Sequence, residues 1–175
     1  VPELVHGLEN DAVPTVLDAS ALDPRLRAAV AARPGRWLTP HHGEAARLLG
    51  VAASEVHDDP IAAARSLSDA WSCGVVLKSA GAVIAAPDGR VRVVAAGHPA
   101  MASGGTGDVL AGALGAALAA PHEDELARVV AAVQAHARAG EVAATRFGRG
   151  MRASDLADAL PLVLDGRIGR PAGAW

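Results

Sequence analysis

Aromatic side chains are scarce in this chain of 175 residues: they make up 2% of the sequence, and tyrosine is absent. The apolar residues, 51% of the total, are therefore mainly Ala, Val and Leu. A core built from such small aliphatic side chains lets helices and strands pack closely. The length suits one hydrophobic core and is short for two, so residues 1–175 are expected to form a single domain.

The chain has only one cysteine and no large excess of charge of either sign. Cys73 is the one cysteine, which excludes an intramolecular disulfide and a cysteine-rich metal site and favours a reducing cytoplasm. The 16 basic and 19 acidic residues give a formal net charge of −3. Because this balance provides no broad positive field for nucleic-acid phosphates, a nucleic-acid partner is not expected.

Long hydrophobic runs are missing as well. The longest, residues 109–120, is well short of the roughly 20 apolar residues that a membrane helix needs, so no membrane span is expected. The first residues, "VPELVHGLEND", lack the basic and apolar regions of a signal peptide, and the chain begins with Val rather than Met. This start predicts a processed or truncated chain.

A regular alternation of strand and helix patterns is what the sequence does contain. Three short runs predict strands: a β-branched run in 13–20 that closes on Asp18, a brief run in 36–40, and a buried run that ends at Lys78. The dipeptide Asp88-Gly89 lies between two apolar runs and predicts an antiparallel hairpin at a sheet edge. Strands that alternate with helices predict an α/β fold, a mostly parallel sheet covered by helices on both faces.

Capping residues, proline and glycine mark the predicted helix boundaries. A polar residue followed by proline predicts three helix starts: Asp23-Pro24, Thr39-Pro40 and Asp59-Pro60. Gly50 and Gly74 are predicted to end the second and third of these helices. Three more helices are predicted in the last third of the chain: 109–120, 123–146 and one capped by Ser154.

The segment "SGGTGD", residues 103–108, directly precedes a helix of small residues and is called the Gly-rich loop below. Gly104, Gly105 and Gly107 allow a sharp turn that brings backbone N–H groups near a bound anion, and the helix adds the positive end of its dipole. The loop therefore predicts a phosphate or oxyanion cradle. Asp108 is either a carboxylate that offsets the helix dipole or a base that takes a proton from a substrate hydroxyl.

Polar side chains also follow the predicted strands, where ligands bind in α/β sheets. Asp18, His41 and Lys78 all fall at such positions. His41 and Glu44 have a spacing that fits a ligand contact by His41, a solvated helix start, or a metal pair without an evident third ligand. Lys78 can balance phosphate charge or lie in solvent, and His136 is expected on a helix surface or in a helix interface.

Four motifs in this order resemble the ADP-dependent NAD(P)H-hydrate dehydratase family: "TPHHGEAARLLG", "VVLKSAGAVIAAPDGRV", "ASGGTGDVLAGALGAALA" and "GMRASDLADALP". The resemblance implies a ribokinase-like three-layer α/β/α sandwich. It also implies a nucleotide-assisted loss of water that restores NADH or NADPH from forms hydrated at C6 of the nicotinamide ring. Family members carry further residues before "VPELV", so 1–175 is expected to be the C-terminal two thirds of one such domain, with the N-terminal part missing.

The same resemblance implies roles for particular residues. Asp108 is implied to be the base and a substrate contact, and His41 a second substrate contact. An adenine nucleotide, ADP or ATP, is implied to bind two segments: Lys78, Ser79, Ala80, Gly81, Ala82, and Gly104, Gly105, Thr106, Gly107. Mg²⁺ is expected on the nucleotide's phosphates, with no metal site made by the protein alone. A cytoplasmic homo-oligomer, such as a tetramer, is expected.

Two alternatives stay open at the level of sequence. Ribokinase-like kinases of sugar or vitamin-precursor alcohols share the Gly-rich loop and its aspartate, so a small-molecule kinase is the first. The second is a catalytically inactive nucleotide-binding remnant, because the residues that usually precede "VPELV" are missing. The chain also departs from the family in "LDASALD", where Ser20 and Asp23 replace the more usual residues, and in His42, which replaces a proline.

Overall fold

The computed structural model describes residues 13–31, 33–120 and 124–164. In this part of the chain five strands form one sheet in sequence order: β1 Thr15–Leu17, β2 Arg36–Leu38, β3 Gly74–Leu77, β4 Ala82–Ala85 and β5 Val91–Val94. The β1–β2 and β2–β3 pairs are parallel, whereas β3–β4 and β4–β5 are antiparallel. The predicted α/β sheet and its antiparallel hairpin at an edge are confirmed, and half of these pairings are parallel.

The described residues also form seven α-helices: α1 Arg27–Val30, α2 His42–Leu49, α3 Ala53–Asp58, α4 Pro60–Trp71, α5 Thr106–Ala119, α6 Glu125–Phe147 and α7 Ala153–Leu164. Both predicted Asp-Pro helix starts are confirmed: a 3-10 helix, Pro24–Leu26, follows Asp23, and α4 follows Asp59. The carboxylate of Asp23 accepts the N–H of Arg25, and that of Asp59 accepts the N–H of Ala62. Within the described ranges, no helix combines the length and apolarity needed to cross a bilayer.

Two predicted helix caps are wrong. Thr39 is buried and donates its hydroxyl to the carbonyl of Leu17 at 3.2 Å, so the cap of α2 falls to His41 instead. Ser154 lies inside α7, which begins one residue earlier at Ala153. The predicted start of α6 at residue 123 and the first residues of the chain, 1–12, lie outside the described residues.

The predicted end of α4 at Gly74 is also wrong. The helix ends at Trp71, and Ser72 terminates it in the left-handed conformation with φ of +47°. Gly74 instead begins β3, directly opposite Trp37 of β2. A Cβ atom at position 74 would overlap the Trp37 ring. Glycine is therefore needed here to make room for the buried indole.

Helices cover both faces of the sheet, which confirms the predicted three layers. Side chains alternate along β3, so Val75 and Leu77 face one layer and Val76 faces the other. The first layer contains buried residues from α1 to α4, and the second contains buried residues from α5 and α6. α7 packs on α6 beyond the sheet. This arrangement leaves the carboxyl ends of β1, β2 and β3 beside the beginning of α5.

The contact between Gly74 and Trp37 makes a testable prediction. Gly74→Ala should lower the free energy of unfolding by about 1–3 kcal/mol, because the added methyl group overpacks a fully buried indole. Gly112→Ala is the matched control: position 112 is exposed in α5, a Cβ there has no neighbour within 4 Å, and alanine favours a helix by about 0.5–1 kcal/mol. Denaturant unfolding measures both, and equal stabilities for Gly74→Ala and the wild type would contradict this account.

Candidate active site

The carboxyl ends of β1, β2 and β3 bring three polar residues to one edge of the sheet. Lys78 follows β3 and forms a single parallel bridge with His41, its N–H donating to the carbonyl of Pro40 at 2.8 Å. The Lys78 Nζ lies 2.6 Å from Asp18 Oδ1 and 3.9 Å from Glu44 Oε2. This ion pair between Lys78 and Asp18 ties the end of β1 to the end of β3.

His41 caps α2 through its imidazole ring. Its Nδ1 accepts the N–H groups of Gly43 at 3.0 Å and Glu44 at 3.3 Å, while Glu44 Oε2 accepts the N–H of His41 at 2.8 Å. Because Nδ1 accepts these bonds, the neutral ring carries its proton on Nε2. The side chain is 60% exposed, and its Nε2 lies 3.6 Å from Glu44 Oε2, so the Nε2–H lies beside the Glu44 carboxylate and remains accessible from solvent.

The Gly-rich loop makes close contacts with its surroundings. Gly105 has φ of +89°, and a Cβ there would lie 3.0 Å from the Cβ of Ala153 in α7, so both backbone and space favour glycine. The buried hydroxyl of Thr106 donates to backbone carbonyls, with oxygen distances of 2.7 Å to Met101, just before the loop, and 2.9 Å to Ser103 within it. These contacts fix the direction of the backbone at the start of α5.

The first turn of α5 lies against the Lys78–Asp18 pair. A Cβ on Gly107 would be 3.4 Å from Lys78 Nζ and 3.5 Å from Asp18 Oδ2. Within the described part of the chain, the N–H groups of Gly107 and Asp108 donate no backbone hydrogen bond. Free N–H groups at a helix start and a lysine ammonium together form a site suited to an anion. Asp108 is exposed in this same turn.

The other predicted nucleotide contacts flank this turn. Ser79, Ala80 and Gly81 connect β3 to β4, and the Ser79 hydroxyl donates to the Gly81 carbonyl at 2.8 Å. Gly81 has φ of +143°, a conformation that favours glycine. Ala82 begins β4, and a Cβ on Gly104 would meet no atom within 4 Å. The backbone is thus open on the exposed side of both segments.

Two residues of this region, Asp18 and His136, were given no role in the site by the sequence, although Asp18 falls at a strand end where ligands bind. Asp18 follows a predicted strand, but its pairing with Lys78, 60 residues away, has no signal in the sequence. His136 of α6 is 7% exposed, and its Nε2 lies 2.9 Å from the Thr106 carbonyl oxygen. Burial lowers the pKa of His136, so the neutral ring is favoured. The structure places His136 in the interface between α6 and α5.

A metal bound by His41 and Glu44 would need at least one more protein ligand. Among the described residues, no three or more His, Cys, Asp or Glu side chains cluster in a way that could hold a metal ion. Both groups instead complete the cap of α2. The neighbouring His42 packs edge-on against His57 at 5.6 Å between ring centroids. Burial, and next the His57 ring, lower the pKa of His42.

The cap geometry predicts how His41 variants behave. His41→Ala should lower the free energy of unfolding by about 1 kcal/mol because two N–H groups lose their acceptor, whereas His41→Asn should be nearly as stable as the wild type. Arg65→Ala, at an exposed position of α4, is the control and should change stability little. Thermal and denaturant unfolding test this, and an equal loss in His41→Ala and His41→Asn would rule out the capping role.

Known proteins share this sequence and fold. The sequence model described as NAD(P)H-hydrate dehydratase matches residues 1–162. The bifunctional NAD(P)H-hydrate repair enzyme Nnr of Escherichia coli (strain K12) is 40% identical over 168 residues, 94% of this chain and 32% of that protein. The ADP-dependent (S)-NAD(P)H-hydrate dehydratase of Xanthomonas campestris is 39% identical over 151 residues, 86% of this chain and 51% of that protein.

A solved structure extends the similarity to three dimensions. It is the ADP/ATP-dependent NAD(P)H-hydrate dehydratase of Bacillus subtilis, co-crystallised with ATP and Mg²⁺ and soaked with CoA. The two chains superpose with a TM-score of 0.82 at 33% identity, over 93% of this chain and 59% of that one. The chain thus spans between a third and three fifths of the length of these relatives. The ribokinase-like α/β fold implied by the resemblance is confirmed, and the chain belongs to the NAD(P)H-hydrate dehydratase family.

Proposed function

We propose that this chain carries the site for nucleotide-dependent dehydration of NADH and NADPH hydrated at C6 of the nicotinamide ring, with ADP as the co-substrate. Relatives named for the dehydration of NAD(P)H hydrates support the proposal. The observation that carries it is the approach of the first turn of α5 to the Lys78–Asp18 pair, next to His41. The N–H groups of α5 and the Lys78 ammonium suit a phosphate, and the Asp108 carboxylate and the His41 ring next to them suit a substrate hydroxyl.

The phosphates of the nucleotide are assigned to the N–H groups of Gly107 and Asp108 and to the Lys78 ammonium, since a helix start and a cation both stabilise negative charge. The remaining proposed contacts lie in the turn after β3 and in the Gly-rich loop: Ser79, Ala80, Gly81, Ala82, Gly104, Gly105 and Thr106. Small side chains in these segments leave the backbone open to a flat adenine ring. Thr106 uses its hydroxyl inside the loop, so its backbone would make the contact.

Mg²⁺ suits this set of groups. It is usually held by nucleotide phosphates, one or two carboxylates and water rather than by a cage of protein ligands. Asp18 and Glu44 each have a carboxylate oxygen within 4 Å of the Lys78 ammonium, close to the phosphate-binding turn. These carboxylates would hold the ion jointly with the phosphates, and the bound ion would offset the phosphate charge.

Asp108 is proposed as the base. As the C6 hydroxyl oxygen attacks the terminal phosphorus, its proton passes to Asp108 and the bond from that phosphorus to the nucleotide's bridging oxygen breaks. The C6–O bond then breaks as phosphate departs, driven by the electron pair of N1, and transfer of the C5 proton to the released phosphate restores the double bond of the ring. His41 is proposed to donate its Nε2–H to the substrate and so to hold it in place.

A second proposal is a homo-oligomer, such as a tetramer, in the cytoplasm. The free thiol of Cys73 suits a reducing compartment, and burial raises its pKa to about 12, which keeps it unreactive. Val93 on the edge strand β5, Phe147 at the end of α6 and Leu164 at the end of α7 offer exposed apolar surface to another copy. Light scattering should give a multiple of the 17.5 kDa chain mass, and a monomer at micromolar concentration would contradict it.

The activity is tested with the full-length product of the gene, hydrated NADH, ADP and Mg²⁺. We expect the NADH absorbance band to recover, and Asp108→Asn to lower kcat by about 100-fold or more because the proton acceptor is lost. Asp158→Asn is the matched control, because it removes an exposed carboxylate on α7 and should leave kcat unchanged. Failure of the wild type to restore NADH would contradict the proposed function.

The same assay separates the alternatives. ATP consumption that depends on a sugar or vitamin-precursor alcohol, without repair of hydrated NADH, would identify a small-molecule kinase. ADP binding by calorimetry without turnover, together with no effect of Asp108→Asn, would identify a nucleotide-binding remnant. Each outcome replaces the proposed function with a different one.

A further inference from the structure

One face of α6 contacts the chain that leads into the Gly-rich loop. The contacts are successive along the helix: Glu141 Oε1 accepts the N–H of Gly97 at 2.9 Å, Gly140 packs against Met101, and His136 Nε2 lies 2.9 Å from the Thr106 carbonyl oxygen. A Cβ on Gly140 would overlap the Met101 side chain, so α6 and this segment are closely packed. α6 therefore supports the Gly-rich loop and the segment that precedes it.

The contact at His136 differs from the other two because it reaches the first turn of α5. A carbonyl oxygen only accepts hydrogen bonds, so His136 Nε2 must carry the proton and donate it to Thr106. The Thr106 carbonyl belongs to the same peptide group as the Gly107 N–H. A hydrogen bond accepted at one end of a peptide group polarises the group and strengthens the donor at its other end.

We propose that His136 is a positioning residue that fixes and polarises the Gly107 N–H for binding to a nucleotide phosphate. The inference rests on the proposed function, in which this N–H meets the phosphate. A packing role alone does not account for the imidazole: burial of a polar ring is unfavourable unless it is hydrogen-bonded, and an aliphatic side chain would fill an alanine-rich helix face without that cost. The ring makes its buried bond at the one carbonyl that is covalently joined to the Gly107 nitrogen.

The experiment compares His136→Phe, which keeps a ring but loses the donor, with His136→Gln, whose amide nitrogen reaches a similar position. Calorimetry with ADP and Mg²⁺ should show a dissociation constant raised about fivefold to tenfold in His136→Phe and within about twofold of the wild type in His136→Gln. The control Val129→Ala, buried in α6 against the sheet, should lower stability without changing this constant. In the protein without nucleotide, the amide proton resonance of Gly107 should move in His136→Phe and return in His136→Gln.

The outcomes are distinct for the two claims. If the wild type binds no adenine nucleotide, the proposed function is overturned. The Gly107 amide resonance of the His136 variants then still shows whether His136 polarises this N–H. An unchanged dissociation constant and resonance in His136→Phe, or an equal loss in Val129→Ala, would overturn the role of His136. If His136→Phe does not fold, the ¹⁵N resonances of the wild-type ring decide: a proton on Nε2 supports the inference, and a proton on Nδ1 overturns it.

Discussion

The close approach of the first turn of α5 to the Lys78–Asp18 ion pair is the constraint on which the candidate site depends. A Cβ on Gly107 would lie in van der Waals contact with both partners of the pair, so the first turn of α5 passes directly beside them. The remaining elements hold this approach in place. The sheet sets the ends of β1 and β3, while α6 contacts the Gly-rich loop through His136 and α7 contacts it through Ala153.

This constraint also separates the tasks of the charged groups. Lys78 is shared between Asp18 and Glu44, so its charge is largely balanced before a ligand arrives. The free N–H groups at the start of α5 then supply positive polarity that no hydrogen bond within the helix uses. Asp108 is exposed in the same turn and pairs with none of the described cations, which leaves its carboxylate available for the proposed proton transfer.

Much of the fold follows from local sequence. The β-branched runs, the Asp88-Gly89 turn and the Asp-Pro helix starts predict elements that the structure contains, because each depends on residues that are neighbours in the chain. Two of the wrong predictions concern a helix end and a helix cap whose positions depend on residues distant in the sequence. Gly74 is needed because of the Trp37 ring in the adjacent strand, and His41 replaces the expected Thr39 cap because Thr39 is buried and bonded to β1.

The site shows the same division. The Gly-rich loop and the strand-end residues were identifiable from the sequence, since glycine spacing and strand ends are local features. The Asp18–Lys78 pair and the bond from His136 to Thr106 were not, because only the folded chain brings those residues together. How Asp18 orients Lys78, and how His136 acts on the Gly107 N–H, is therefore visible only in the tertiary structure.

The central claim is that the anion site at the start of α5 binds a nucleotide phosphate. A crystal structure of the protein with ADP and Mg²⁺ tests it most directly. The account predicts phosphate oxygens within hydrogen-bond distance of the Gly107 N–H and the Lys78 Nζ. Phosphates bound instead in the cavity of about 280 Å³ at the opposite end of the sheet, lined by residues such as Arg33, Trp37 and Arg90, would contradict it.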